Sequence, residues 1–401
     1  MANIIMDILF YATAYVTLFA SIFWFTTFFT AAKKRSAKAV HPPLSIIVPA
    51  YNEQNNIEKC LTALENQKYP KLKIIVVDDG STDGTGSVVK RLMKKYKNIS
   101  YLRKANSGKA ASLNYGLKYV GTELFGFIDA DTFLSGNALL NMAGLIHGRT
   151  ASAIAALKPY EPKTRIERLQ RIEYALSSFT KKLLSFIGAL YFTPGFAIYK
   201  TAIIKRLGGF DEKNITEDLE IGLRLKNNGY RIEHALEDSA QTVVPKSFRE
   251  LFKQRLRWYR GYIYNSRKYS YMFFNKRFAD FGVFILPLQY LVLALVIPFL
   301  LVSIYDGIIY ASQRIIDLFI VNFDLNYLLS ASQINIITPT TFFLIIALVA
   351  FFFMIRLSNK SAKEKISKLD YLVYIITYPF INLFLWVAAF TYEMVRAKRK
   401  W

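Results

Sequence analysis

Two uncharged stretches, Ile8 to Ala32 and Phe281 to Tyr305, bracket 248 residues (33–280) of soluble composition. A hydrocarbon core of about 30 Å needs roughly 20 apolar residues in helical form, so each stretch is long enough to cross a bilayer. The first is also too long, and lacks the basic leading segment, for a cleaved signal peptide. Two further apolar runs follow, Ile337 to Ile355 and Tyr371 to Tyr392. The chain is therefore expected to divide into a membrane helix over 1–32, a cytosolic domain with interfacial helices over 33–280, and a region of about three spans over 281–401. The basic cluster "AAKKRSAK" (Ala31–Lys38) predicts that the central domain faces the cytosol, because Lys/Arg clusters beside a span stay inside. The expected location is the plasma membrane, with several passes. One plus three spans leaves the tail Arg396–Trp401 outside, against that tendency. An extra span near Ile308 to Leu329 would instead export the Lys-rich loop Lys360–Lys368.

A net charge of +23 coexists with 53% hydrophobic residues, which fits a membrane protein with a basic cytosolic side. Nucleic acid is a poor partner for this chain, because the aromatic residues lie in uncharged runs rather than among Lys and Arg. The single cysteine, Cys60, excludes an intrachain disulfide and a Cys-based zinc site; it reads as an ordinary helix residue among polar neighbours. His41, His147 and His234 are too scattered to mark a metal centre or a triad.

Within the central domain, "LSIIVPA", "KIIVVDD" and "LFGFIDAD" are short β-branched runs, each followed by polar or helix-compatible sequence. That pattern predicts buried parallel strands of an α/β sheet, with helices near 54–66, 83–96 and 109–119. Ligands of such sheets bind beyond the carboxyl ends of the strands, where "YNE", "DDGSTDG" and "DAD" stand here.

Each polar cluster has a plain structural reading beside a chemical one. Asp78 to Gly84 has the composition of a strand-to-helix turn. In Asp129-Ala130-Asp131, two carboxylates leaving an apolar strand repel each other, and a divalent cation bridging to phosphate is the usual compensation. Glu217 and Asp218 open a helix, where they serve as cap-region anions or supply a general base. In "QRLRWYRG", Gln254, Arg257, Trp258 and Gly261 share one helical face. An arginine fork suits diphosphate and an indole suits a sugar ring, while a membrane-surface helix with snorkelling arginines explains the charges alone.

The order and spacing of "PAYNE", "VVDDGSTDGT", "NSGKAASLN", "FIDADT", "GGFDEKNITEDLEIGLRLKNNGY" and "QRLRW" resemble family 2 inverting glycosyltransferases, specifically the membrane-embedded branch with cellulose, chitin, hyaluronan and poly-N-acetylglucosamine synthases. The resemblance covers about Leu44 to Gly261. It implies a Rossmann-like nucleotide-sugar domain of the GT-A type with a parallel-core sheet, and transmembrane helices on both sides in sequence. It further implies that Pro49, Tyr51, Glu53, Asp79, Lys109 and Asp129 line the nucleotide site, and that Asp129 and Asp131 hold Mg or Mn. Asp218, with Glu217 beside it, would supply the catalytic base, and Gln254, Arg257 and Trp258 would border the diphosphate and acceptor. The stretch "YFTPGFAIYK" stands where the family places an acceptor loop, but Thr193, Pro194 and Gly195 depart from the forms found in some members.

The expected activity is inverting transfer from a UDP-sugar to a growing polysaccharide, processive and coupled to export. A single transfer to a lipid or lipid-linked acceptor is the nearest alternative. An inactive sugar-nucleotide-binding scaffold is a third reading, opposed by the intact set of Asp79, Asp129, Asp131, Asp218 and Arg257. Lastly, Arg165 to Leu190 repeats apolar residues every three or four positions, opposite Arg168, Arg171, Lys181 and Lys182. This amphipathic pattern fits either an inner-leaflet helix or packing on the domain core.

Overall fold

The structure is a computed structural model that describes residues 2–30, 41–323 and 339–397. The basic cluster at Lys33 to Lys38 lies outside the described residues, as do the final residues 398–401. The first helix, α1 (Ala2–Thr30), covers the expected first span as far as Thr30, with 31 and 32 outside the described residues.

The central domain then winds β1 (Leu44–Ala50), α2 (Ile57–Glu65), β2 (Leu72–Asp78), α3 (Thr85–Lys95), β3 (Ile99–Arg103), α4 (Lys109–Lys118) and β4 (Leu124–Ile128). β1 pairs in parallel with both β2 and β4, and β2 in parallel with β3. The parallel core is thus the expected one, with β3 added. That strand, "ISYLR", escapes the hydropathy pattern because its inward residues are interrupted by polar ones. Side chains alternate between two apolar layers: Ile46, Val48, Ile74 and Val76 pack with α2 and α3, while Ile47, Ile75 and Val77 pack with α4. Burial on both faces explains the near-continuous apolar runs of these strands.

The chain continues through β5 (Thr132–Leu134), α5 (Ala138–Leu145), β6 (Thr150–Pro159), α6 (Arg165–Phe186), β7 (Phe196–Lys200), α7 (Thr201–Arg206), α8 (Glu217–Asn227), β8 (Arg231–Thr242) and α9 (Phe248–Lys268). The eight strands form one mixed sheet in the order β3-β2-β1-β4-β7-β6-β8-β5, with β7 antiparallel to β4. Winding reverses between β1 and β4, and the crevice at such a switch point is where open α/β sheets bind ligands.

α6 begins with a capping box, in which the Thr164 hydroxyl accepts from Glu167 N–H and the Glu167 carboxylate accepts from Thr164 N–H. Its basic flank faces protein: Arg168 pairs with Asp370 at 3.3 Å, Arg171 with Glu364 at 3.6 Å, and Lys182 donates to Ser361. α6 packs both on the domain core and, through Leu169 and Ile172, on the last two helices, and these three cations meet residues 361–370 where those helices adjoin.

After a π-helical turn (Phe281–Ile285) come α10 (Leu286–Ile320), α11 (Pro339–Ser361) and α12 (Lys368–Met394). Among the described residues, three helices are long and apolar enough to cross a membrane: Asp7–Thr30, Phe281–Ile320 and Lys368–Met394. Of the separate span weighed at Ile308 to Leu329, residues 308–320 continue α10 without a break and 324–329 fall outside the described residues. The run Ile337–Ile355 falls on α11, with 337 and 338 outside the described residues. α1 packs on α10 through Phe10 on Phe299 and on the π-helical turn through Phe23 on Phe284, at ring-centroid distances of 5.9 and 4.7 Å.

Candidate active site

Every loop at the carboxyl ends of β1, β2 and β4 is tied to its neighbour. Pro49 is the penultimate residue of β1, and the loop after the strand carries Tyr51, Asn52 and Glu53. Asn52 takes up φ +56°, a turn position that asparagine tolerates. Its carboxamide oxygen accepts from Thr82 N–H at 2.9 Å, and Glu53 N–H donates to Thr85 Oγ1 at 2.8 Å. The "YNE" and "STDGT" loops therefore hold each other, leaving the Tyr51 ring 49% exposed at the rim. Burial pushes the Glu53 carboxyl up, despite a hydrogen bond from Asn56.

The two aspartates ending β2 do different jobs. Asp78 is structural: it accepts from Ser81 N–H at 2.7 Å and from the Tyr101 hydroxyl. Burial alone would raise its pKa, but these hydrogen bonds outweigh it and hold the carboxyl below its usual range. Asp79 accepts from Ser107 N–H at 3.0 Å and Gly108 N–H at 2.8 Å, and it pairs with Lys104. Gly108, at φ +94°, lets the loop turn directly into α4. Asp79 thus fixes the loop that delivers Lys109.

Lys109 Nζ lies 2.5 Å from Asp129 Oδ1 and 3.4 Å from Glu217 Oε1, so it joins the end of β4 to the start of α8. Burial works against its charge, yet Asp129, Glu217 and Asp218 outweigh burial and raise its pKa. Asp131 sits deeper. Burial, then the negative charges of Asp129 and Glu53, push its carboxyl up to about 7. Two hard oxygen donors two residues apart, one of them short of compensating charge, are a donor set that fits Mg or Mn. Among the described residues no third Asp, Glu, His or Cys completes a group of three. Cys60 is buried beneath this pair, its thiol 3.7 Å from the Asp129 carbonyl, rather than among polar neighbours as its sequence context implied.

At the start of α8, Glu217 is buried, which raises its carboxyl, with Lys109 opposing the rise. Asp218 is less enclosed, and one of its oxygens accepts from Leu219 N–H at 2.8 Å. Behind it, the buried Thr193 hydroxyl donates to the Asp218 carbonyl at 2.9 Å and accepts from Tyr199 at 2.8 Å. The "TPG" loop therefore abuts the "TED" turn.

α9 fits against that turn through Gly261: a Cβ there would lie 2.3 Å from Thr216 Oγ1. Asn265, one turn on, bonds Asn214 and Thr216, so α9 and the "TED" turn form one hydrogen-bonded unit. Of the four residues expected on one face, Gly261 is buried in this contact, and Gln254 accepts from Arg255. Arg257 and Trp258 are half-buried. The arginine most deeply placed is Arg255, only 1% exposed, whose fork meets Glu173 at 3.0 and 2.5 Å. Glu173, Arg255, Asn265 and Lys104 carried no sequence signal, because each acts through a partner distant in the chain.

On its other side α9 grips α12. Tyr259 stacks on Trp386 with centroids 4.4 Å apart and planes within 7°, and its hydroxyl donates to Asn382. Arg260 pairs with Glu393 at 2.8 Å, both buried.

Comparison with known proteins agrees with this geometry. Residues 45–208 match the family described as Glycosyl transferase family 2. Over 222 residues the chain is 30% identical to a poly-beta-1,6-N-acetyl-D-glucosamine synthase of Staphylococcus aureus strain MSSA476, and 29% identical to the synthase of that name from Staphylococcus epidermidis. Each match covers 54% of this chain and 54% of the relative, so the chain spans about half the length of the curated relatives it matches. A solved structure of the mannosyltransferase PcManGT from Pyrobaculum calidifontis, in complex with GDP-Man and Mn2+, superposes with a TM-score of 0.62. That superposition covers 98% of this chain and all of the other at 18% identity, a likeness of fold. Beside the parallel core and the switch-point carboxylates, the segment 45–208 is thus similar in sequence to glycosyl transferase family 2.

Proposed function

We propose that this protein is a membrane-integrated inverting glycosyltransferase that takes a sugar from a UDP-sugar in the cytosol and adds it to a growing polysaccharide, processively and with export. The observation that carries the reading is the meeting of Asp79, Lys109, Asp129, Asp131, Glu217 and Asp218 at one switch-point crevice, beside a helix bound to an apolar span. Pro49, Tyr51, Glu53 and Asp79 would bind the nucleoside, and Asp129 with Asp131 would hold Mg or Mn. That ion supplies positive charge to the diphosphate leaving group. The reading is in keeping with the nucleotide sugar and Mn2+ of the fold neighbour.

In the transfer, Asp218 takes the proton of the acceptor hydroxyl as its oxygen bonds to the anomeric carbon. The bond from that carbon to the diphosphate breaks on the opposite face, and UDP leaves with the electron pair. The buried ion contact of Glu217 with Lys109 supports Asp218, the more open of the two, as the base. Lys109 keeps a positive charge beside the carboxylates, and Arg257 and Trp258 border diphosphate and acceptor. The poly-N-acetylglucosamine synthases it resembles support a polymer product over a single transfer to a lipid. The test is turnover by the purified full chain across a panel of nucleotide sugars with product sizing. Long products from a UDP-sugar are expected; transfer of one residue to a lipid, or no transfer with any donor, would overturn the reading.

A further inference from the structure

Away from the crevice, the last turns of α9 and the helices α10 and α12 line an open cavity of about 660 Å³. Most of its lining is apolar, with Leu293, Ala294, Ile297, Pro298 and Phe390 from two of the apolar spans. Ser266 and Arg267 of α9, and Ser270 just beyond it, add polar groups. Arg267 is exposed and, among the described residues, makes no ion pair or hydrogen bond, unlike the neighbouring Lys268, which pairs with Asp211 and Glu220. One backbone group on the wall also lacks its helical partner. Pro298, having no N–H, leaves the Ala294 carbonyl without its helical donor.

We propose that this cavity is a binding site for an anionic phospholipid of the bilayer, with an acyl chain between α10 and α12 and the headgroup phosphate on Arg267. The occupant follows from the lining: apolar side chains from two spans, beside serine hydroxyls and one guanidinium without an ion pair. A water-soluble ligand would leave the apolar lining unmatched, and a neutral lipid would leave Arg267 unused. Arginine's planar fork suits phosphate oxygens. α9 supplies the Ser266 wall and, one residue away, Asn265, which bonds Thr216 of the "TED" turn. Lipid occupancy is therefore expected to steady the site proposed for transfer, but its detection needs no turnover.

The experiment places the full chain in nanodiscs and titrates spin-labelled phosphatidylglycerol against phosphatidylcholine, with native mass spectrometry of bound lipid. Wild type should retain phosphatidylglycerol preferentially. Arg267→Ala should lose roughly fivefold of that preference, the worth of one cation near an anionic surface. Ala294→Phe, which narrows the cavity, should reduce retention of both lipids while UDP affinity, read by calorimetry, stays unchanged as the control for folding. Equal retention of the two lipids by wild type, or undiminished retention by Ala294→Phe, would overturn the proposal. So would retention of a polyprenyl phosphate in place of phosphatidylglycerol, which would make the cavity an acceptor site.

Discussion

The guanidinium carbon of Arg255 lies 4.0 Å from the ring centroid of Trp258, while the same guanidinium is held by both oxygens of Glu173. The indole is thus oriented by an ion pair between α6 and α9, and its setting depends on a carboxylate 85 residues earlier in the chain. Removing one partner of a buried pair strands a charge, at a cost of roughly 3–5 kcal/mol. Glu173→Ala should lower the melting temperature markedly, and Glu173→Gln less so. If Glu173→Ala melts with wild type, the pair contributes nothing and Trp258 is held by other contacts.

Trp258→Ala should reduce product formation far more than UDP affinity, since an aromatic platform contributes roughly 0.5–1.5 kcal/mol beyond area burial and a misplaced acceptor loses about a further hundredfold in rate. Arg257→Lys should instead weaken donor binding and turnover together, because a point charge replaces a fork. UDP calorimetry with product sizing separates the two patterns. Long products at the wild-type rate from Trp258→Ala would remove the indole from the acceptor site.

Asp218→Asn should abolish transfer and leave UDP affinity within a few fold, because a base acts in the transition state. Glu217→Gln behaves differently: it leaves Lys109 with one anion fewer and should weaken nucleotide binding as well. Near-normal turnover by Asp218→Asn would sink the assignment.

Gly261→Ala should fold, yet lose activity, since its methyl would press on the Thr216 side chain and move the "TED" turn. Strain of this kind costs about 1–3 kcal/mol. Steady-state rates beside a thermal melt test this, and unchanged turnover would show that the turn does not depend on α9.

Lys181 is buried, and burial lowers its pKa to about 8 although Asp218 and Glu173 act in the opposite direction. The sign follows from proton counts. Between about 8 and its ordinary value of 10.5 the unfolded chain binds the proton and the folded chain does not, so stability from this group rises with pH there. Below about 8 the penalty of a buried ammonium is fully present. Lys181→Met should be more stable than wild type at pH 7, and the difference should shrink with a slope on the order of 1 kcal/mol per pH unit above pH 8. Melts of the detergent-solubilised proteins at pH 7, 8, 9 and 10 read the difference directly. A constant difference would mean that Lys181 does not titrate in that window.

The parallel core was legible because its strands are buried on both faces, which leaves continuous β-branched runs, and because loops at a switch point concentrate Asp, Gly and Asn. β3 was not, since "ISYLR" alternates with polar residues. The helix starting at Lys109 fell where expected, whereas the role of its first residue as a bridge between Asp129 and Glu217 depends on distances no local pattern encodes. The same holds for α6. Its cationic stripe is what a lipid-facing helix would carry, and only the fold brings Glu364 and Asp370 against it. In α9 the helical face was readable, but the depth of Arg255 was not, because that is set by Glu173.

The clasp between Tyr259–Arg260 and Trp386–Glu393 bears on how this protein can be handled. A fragment ending at residue 280 would keep the switch-point crevice and, at its back, a helix stripped of its counterparts: an unpaired guanidinium and an uncovered phenol ring. Such a fragment should bind nucleotide, yet clump and turn over poorly. Trimming to the hydrophilic part is the wrong economy for this chain, and a redesign that caps α9 with a surrogate carboxylate and indole is the shorter path to a detergent-free catalyst.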